Sequence, residues 1–182
     1  MTISEDVGSV ERDAAATARR FEQLFRSEVD RIHSYARARL GAAEAEDVVS
    51  EVFQAVAVAI RNGNDAAWLP AWIMTVTKNV VIDRWRRTQR RTTRDALLRV
   101  RERDRMVQTD DWTDPGDREQ VIAALDRLST RHRMVLVMHY ADGLSAPEIA
   151  DELGRSVAAI ESMLARARRA FRSEFVERGR TT

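Results

Sequence analysis

Residues Trp72–Arg87 read WIMTVTKNVVIDRWRR. Ile73, Val76, Val80 and Val81 recur every three to four positions, which predicts a helix with one apolar side for a core. Pro70 lies just upstream and suits a first helical turn, where its missing N–H costs little. The other side carries Trp72, Thr75, Lys78, Asn79, Asp83 and Arg86. Two readings fit that side. A tryptophan with an amide and basic groups can stack on an unpaired base and hold its backbone, or the side is simply solvated. Lys78 is the chain's only lysine, against 29 arginines.

The neighbouring segments have the same character. Upstream, Phe21, Leu24, Phe25, Ile32, Tyr35 and Ala36 share one face of a helix predicted over 18–40, and Gly41 stops it. Val48, Val52, Val56 and Ala59 align on a second helix over 44–60. On the opposite face of that helix, Asp47, Ser50, Glu51 and Gln54 lie together. Arg61-Asn62-Gly63-Asn64-Asp65 has the chemistry of a loop. Strand alternation is nearly absent throughout, so the fold class expected is all-α.

Charge divides the chain. Net charge is only +1, yet residues 84–105 hold ten arginines against three acids, and Asp110, Asp111, Asp114, Asp117 and Glu119 follow. Such asymmetry suggests a polyanion-binding face beside a solvated connection. A domain boundary is placed within 105–114, with Asp114-Pro115 as a helix start. Four short helices are predicted beyond it: 116–128, 130–140 with Ser129 as cap, one ending at Leu153, and 157–175. Ser145-Ala146-Pro147-Glu148 is a capping box, and Gly154-Arg155-Ser156 is a tight turn. The last two helices have the form of a helix-turn-helix packed through Ile149, Ala150, Leu153, Val157, Ile160 and Leu164. A plain helical hairpin is the alternative.

Composition excludes several classes. With no cysteine in the chain, disulfides and thiolate metal sites are impossible. The acidic N-terminus lacks a secretory core segment, and the longest apolar run, Ala55–Ile60, is too short to span a bilayer. A cytoplasmic protein without membrane insertion is expected. His33, His132 and His139 form no ligand motif, no glycine-rich phosphate loop occurs, and the carboxylates of the second helix have no nucleophile or metal set beside them. No catalytic residue, metal or cofactor is therefore assigned.

Five segments, in order, resemble a known family. Ala45-Glu46-Asp47-Val48-Val49-Ser50-Glu51-Val52-Phe53 resembles the "AEDlvqevF" signature of extracytoplasmic-function (group IV) RNA polymerase sigma factors. Trp72-Ile73 with Lys78-Asn79 and Asp83-Arg84 resembles their "WL…iarN…d..R". Leu128–Leu136 is similar to "LP.rqR.vl", Gly143–Ala150 to "glsy.EIA" and Leu164–Arg168 to "L.RAR". The resemblance spans about residues 20–175.

That resemblance implies an alternative sigma factor, not an enzyme. It would bind core RNA polymerase, direct it to particular promoters and promote melting. Residues 1–17 would be a disordered N-terminus, 18–95 sigma region 2, 96–115 a flexible linker through the polymerase, 116–176 region 4, and 177–182 a tail. Asp47, Ser50, Glu51 and Gln54 would grip the clamp helices of the largest subunit, with the flap region a further polymerase contact. Asn62, Asn64, Asp65, Trp72, Lys78, Asn79, Arg84, Arg86 and Arg87 would meet the single-stranded minus-ten element, with Trp72 more an anchor than a stacking platform. Ser145, Arg155, Ser156, Ala159, Glu161, Ser162, Arg166 and Arg169 would meet the duplex minus-thirty-five element. An anti-sigma factor is a further implied partner. Glu161 and Met163 stand where the family commonly has lysine and arginine, so the minus-thirty-five sequence is left open. A helix-turn-helix regulator acting without polymerase is the other reading. It would leave residues 47–53 and 72–87 without a task.

Overall fold

The computed structural model describes the backbone of residues 3–96 and 118–179 and the side chains of residues 14–90 and 120–175. Seven α-helices are present among the described residues: α1 (Ile3–Leu40), α2 (Ala42–Arg61), α3 (Pro70–Ala96), α4 (Arg118–Arg127), α5 (Thr130–Leu136), α6 (Ala146–Leu153) and α7 (Val157–Gly179). A 3-10 turn, Asp65–Trp68, joins α2 to α3, and α5 runs into a π-helical turn, Val137–Ala141. No strand occurs among the described residues, as the absence of period-2 patterning predicted. The connection expected at 96–115, and Asp114-Pro115 with it, lies almost wholly outside the described residues.

Helices α1, α2 and α3 pack on one another. Ile32 and Ala36 of α1, Val48, Val52 and Val56 of α2, and Ile73, Val81 and Trp85 of α3 are fully buried. These are the three-to-four rows read from the sequence, with one addition. Trp85 lies between Arg84 and Arg86 and is nonetheless fully buried. Thr77 is buried too, and its hydroxyl donates to the Ile73 carbonyl at 2.8 Å, which satisfies it inside the helix.

Helices α4, α5 and α6 pack on α7. Their starts are set by caps. Ser129 Oγ accepts from His132 N, and Ser145 and Glu148 form a complete capping box with Pro147 inside the first turn. Gly154 closes α6 at φ 63, a left-handed conformation that admits glycine without a Cβ penalty. Ser156 Oγ then accepts from Ala159 N at 3.3 Å to start α7.

Two differences from the sequence reading have local causes. Residues 1–17 were expected to be disordered, but α1 begins at Ile3. That stretch holds no proline to interrupt a helix. Val157, expected to pack the helix pair, is 40% exposed. It is the first residue of α7 and precedes the first inward-facing position, Ile160.

The two helical groups also pack against each other, which the reading of two domains on a flexible linker did not anticipate. α1 touches α4 and α5, and α3 touches α5 and α6. Gly41 turns the chain at φ 99 against the buried Arg133, whose guanidinium a Cβ at that position would strike. Arg133 donates to the Leu125 and Asp126 carbonyls at 2.7 Å each, and so caps the end of α4.

Candidate nucleic-acid interface

The acidic face of α2 is organised around one cation. Arg84 of α3 donates from Nε to Glu51 at 2.9 Å, and from Nη1 to Glu44 at 3.0 Å and Asp47 at 3.2 Å. Burial works against this cation, but its hydrogen bonds to Glu51, Glu44 and Asp47 outweigh that and raise its pKa above the usual arginine value. Arg87 adds a longer contact to Glu51 at 3.9 Å. Two residues expected to hold polymerase, Asp47 and Glu51, thus share a clasp with one expected to hold DNA. Arg84 turns towards α2 and away from the exposed positions of its own helix. Ser50 and Gln54 are exposed outside the clasp, and Ser50 Oγ donates to the Glu46 carbonyl at 3.1 Å.

The outer face of α3 presents Thr75, Lys78, Asn79 and Asp83, all exposed. Trp72 is half-buried and packs on the core. In the preceding loop, Asn62, Asn64 and Asp65 are exposed. Asn64 Oδ1 accepts from Ala66 N at 3.1 Å and caps the 3-10 turn. Arg20 lies 4.2 Å over the Trp68 ring at the base of the loop.

In the helix-turn-helix, Arg155, Ser156, Ala159, Glu161 and Arg166 are exposed, and Ser162 and Arg169 are half-buried. Ser145 and Ser156 serve as caps. Arg166 donates to Ser162 Oγ at 2.7 Å. One residue the sequence reading passed over joins this face. The pKa of Arg131 is lowered by burial and then by the positive charges of Arg155 and Arg166. His132 beside it is pushed below the usual histidine value by burial, Arg131 and Arg166. Arg131 thus lies in the positive field of Arg155 and Arg166, a charge pattern that a phosphate would relieve. The sequence signal was present in Arg131 at the first turn of α5, but its proximity to Arg155 is a product of folding.

The seam between the groups draws in part of the expected minus-ten face. Arg86 Nη2 donates to the Glu152 carbonyl of α6 at 2.7 Å. Arg131 Nε donates to Gln89 at 2.6 Å. Arg155 lies 5.9 Å from the centre of the Trp85 ring. Arg39 of α1 reaches Asp142, just after the π-helical turn, at 2.5 and 2.7 Å. The structure therefore keeps Lys78, Asn79 and the 62–65 loop outside the seam and places Arg86 within it.

The profile of Sigma-70 region 2 matches residues 24–91, and that of Sigma-70 region 4 matches residues 118–171. The ECF RNA polymerase sigma factor SigL of Mycobacterium tuberculosis is 32% identical over 170 residues, which are 92% of this chain and 96% of SigL. The ECF RNA polymerase sigma factor BldN of Streptomyces coelicolor is 28% identical over 165 residues; 87% of this chain is covered, and the chain spans 61% of BldN's length. Among solved structures, the sigma factor RpoE of Bartonella quintana, in complex with the anti-sigma factor NepR, is similar with a TM-score of 0.43 at 20% identity, covering 85% of this chain and 95% of that chain. With both regions matched in order, and a relative this similar aligned over nearly its whole length, the chain belongs to the extracytoplasmic-function RNA polymerase sigma factors.

Proposed function

We propose that this chain binds core RNA polymerase as an alternative sigma factor, brings it to particular promoters and helps to melt them. The observation that carries the reading is the pairing of an acidic α2 face with an exposed polar α3 face within one three-helix unit, apart from the helix-turn-helix. A regulator acting through its helix-turn-helix alone has no use for that unit. Residues 18–95 serve as region 2 and 116–176 as region 4. Ser50 and Gln54, with the clasped Asp47 and Glu51, meet the clamp helices. Lys78, Asn79, Asn62, Asn64 and Asp65 meet the unpaired minus-ten strand. Arg84 holds the two faces in register. Arg155, Arg166 and Arg131 meet minus-thirty-five phosphates. The partners are core polymerase, promoter DNA and an anti-sigma factor, and no reaction is catalysed by the chain itself. Run-off transcription with purified core polymerase, with and without the protein, tests this directly: discrete transcripts should require the chain.

Two predictions separate the surfaces. Ser50→Arg with Gln54→Ala leaves the Arg84 clasp intact and should weaken binding to core about tenfold, the effect of removing a moderate interface contact. Unchanged affinity in a titration with labelled core would move the polymerase contact off this face. Lys78→Ala with Asn79→Ala should slow promoter opening about tenfold while leaving affinity for core unaltered, because unstacking a base costs a few kcal/mol that contacts to the strand offset. Permanganate reactivity of the melted bubble reads this, and a normal footprint would remove these residues from the minus-ten contact.

A further inference from the structure

The first two turns of α7 enter the duplex on the reading above, and they offer little to hydrogen-bond with. From Val157 to Leu164 the only polar side chains are Glu161 and Ser162. Ser162 Oγ accepts from Arg166 at 2.7 Å. Glu161 is exposed, and among the described residues it has no ion pair or side-chain hydrogen bond. Ala158, Glu161 and Ser162 stand at i, i+3 and i+4, so they present one face. The reading face therefore consists of small side chains around a single uncommitted carboxylate.

A carboxylate only accepts hydrogen bonds. The major groove has two kinds of donor, the N4 amino group of cytosine and the N6 amino group of adenine. Adenine N6 is flanked by acceptors on both sides, its own N7 and the O4 of the paired thymine, and both repel a carboxylate, whereas cytosine N4 has an acceptor on one side only, the O6 of the paired guanine. Guanine presents acceptors only, and thymine an acceptor and a methyl. The small Ala158 and Ala159 allow the backbone of α7 to approach closely enough for a short acid to reach a base edge. The exposed arginines at 155 and 166, before and after Glu161, offset the repulsion between its carboxylate and the DNA backbone.

We propose that Glu161 is a specificity-determining residue that accepts a hydrogen bond from cytosine N4 at one position of the minus-thirty-five element. The assignment deepens the proposed function and rests on it. Glu161 is exposed and makes no ion pair or side-chain hydrogen bond among the described residues, so its replacement leaves the fold unaltered.

The test is a transcription-coupled selection with full-length protein and core polymerase, on a promoter library randomised across the minus-thirty-five region. The wild-type chain should enrich cytosine at one column by at least about fivefold, the discrimination of one good base contact. Glu161→Ala should flatten that column and spare the others. Glu161→Gln should move it towards adenine, whose N6 and N7 suit an amide. Enriched columns that are identical in all three proteins overturn the assignment and leave the sigma-factor reading standing. Failure of the wild-type chain to yield any polymerase-dependent transcript overturns that reading and the assignment together.

Discussion

Replacing Trp85 with alanine should destabilise the protein by about 3–5 kcal/mol, the range for removing a large aromatic side chain from a packed core. Trp85 is the largest fully buried side chain among the described residues. Its neighbours in sequence leave it in opposite directions: Arg84 to the acids of α2, and Arg86 to the end of α6. The indole thus fills the place where α3 meets both groups, with the Arg155 cation near its ring. For a chain of this length the loss corresponds to a fall in Tm on the order of 10 °C. Trp85→Phe should cost far less, because the indole N–H has no acceptor among the described residues and its removal breaks no hydrogen bond. Urea and thermal unfolding of the two variants measure this. A cost below about 1 kcal/mol for the alanine would mean that the site collapses without a cavity.

Trp85 also marks where sequence reading stops. Rows such as Ile32–Ala36 and Val48–Val52–Val56 were legible because the helix period places neighbours one turn apart, and the interior takes whichever side is apolar. Ser129, Ser145 with Glu148, Gly41 and Gly154 were legible because caps and left-handed turns act within three or four residues. The exposure of Lys78 and Asn79 followed from the helix period and that of Asn62 and Asp65 from loop chemistry, whereas Glu161 was reached through the family resemblance. Trp85 follows Val81 by four and so lies on the same inward row as Ile73, but the arginines on either side give that turn the look of a solvated, basic one. By sequence Arg84 is one more phosphate-binding arginine in a basic run. Three carboxylates more than thirty positions upstream decide its direction. Arg131 joined the helix-turn-helix face only once α5 lay against the turn. The outcomes at Arg84 and Arg131 depend on contacts distant in sequence, which local rules do not specify.

Asp142→Ala should separate the two helical groups. Arg39 is 5% exposed, its guanidinium lies 3.4 Å from the centre of the Tyr35 ring, and its two short bonds to Asp142 join positions 103 residues apart. Removing the carboxylate leaves a desolvated cation without its counter-charge. We expect a cost of about 2–4 kcal/mol, below that of breaking a fully buried pair because the Asp142 carboxylate is 30% exposed. Parting the seam relieves that cost by returning Arg39 to water, so the open form should gain on the order of 100-fold over the closed one. The function proposed above requires that opening. Its two promoter elements lie about 25 base pairs apart, on the order of 80 Å along a duplex, whereas here Arg86 of α3 bonds directly to the Glu152 carbonyl of α6. X-ray scattering of the free protein should therefore show a larger radius of gyration for Asp142→Ala, and the variant should assemble with core polymerase faster than the wild type. Arg39→Met combined with Asp142→Ala should recover part of the lost stability without restoring closure, since it removes the orphaned charge but not the need for a tie. A single variant that keeps both the wild-type radius of gyration and the wild-type assembly rate would show that the ion pair does not hold the groups together, and would leave the packing of α3 on α5 and α6 as the contact that polymerase must break.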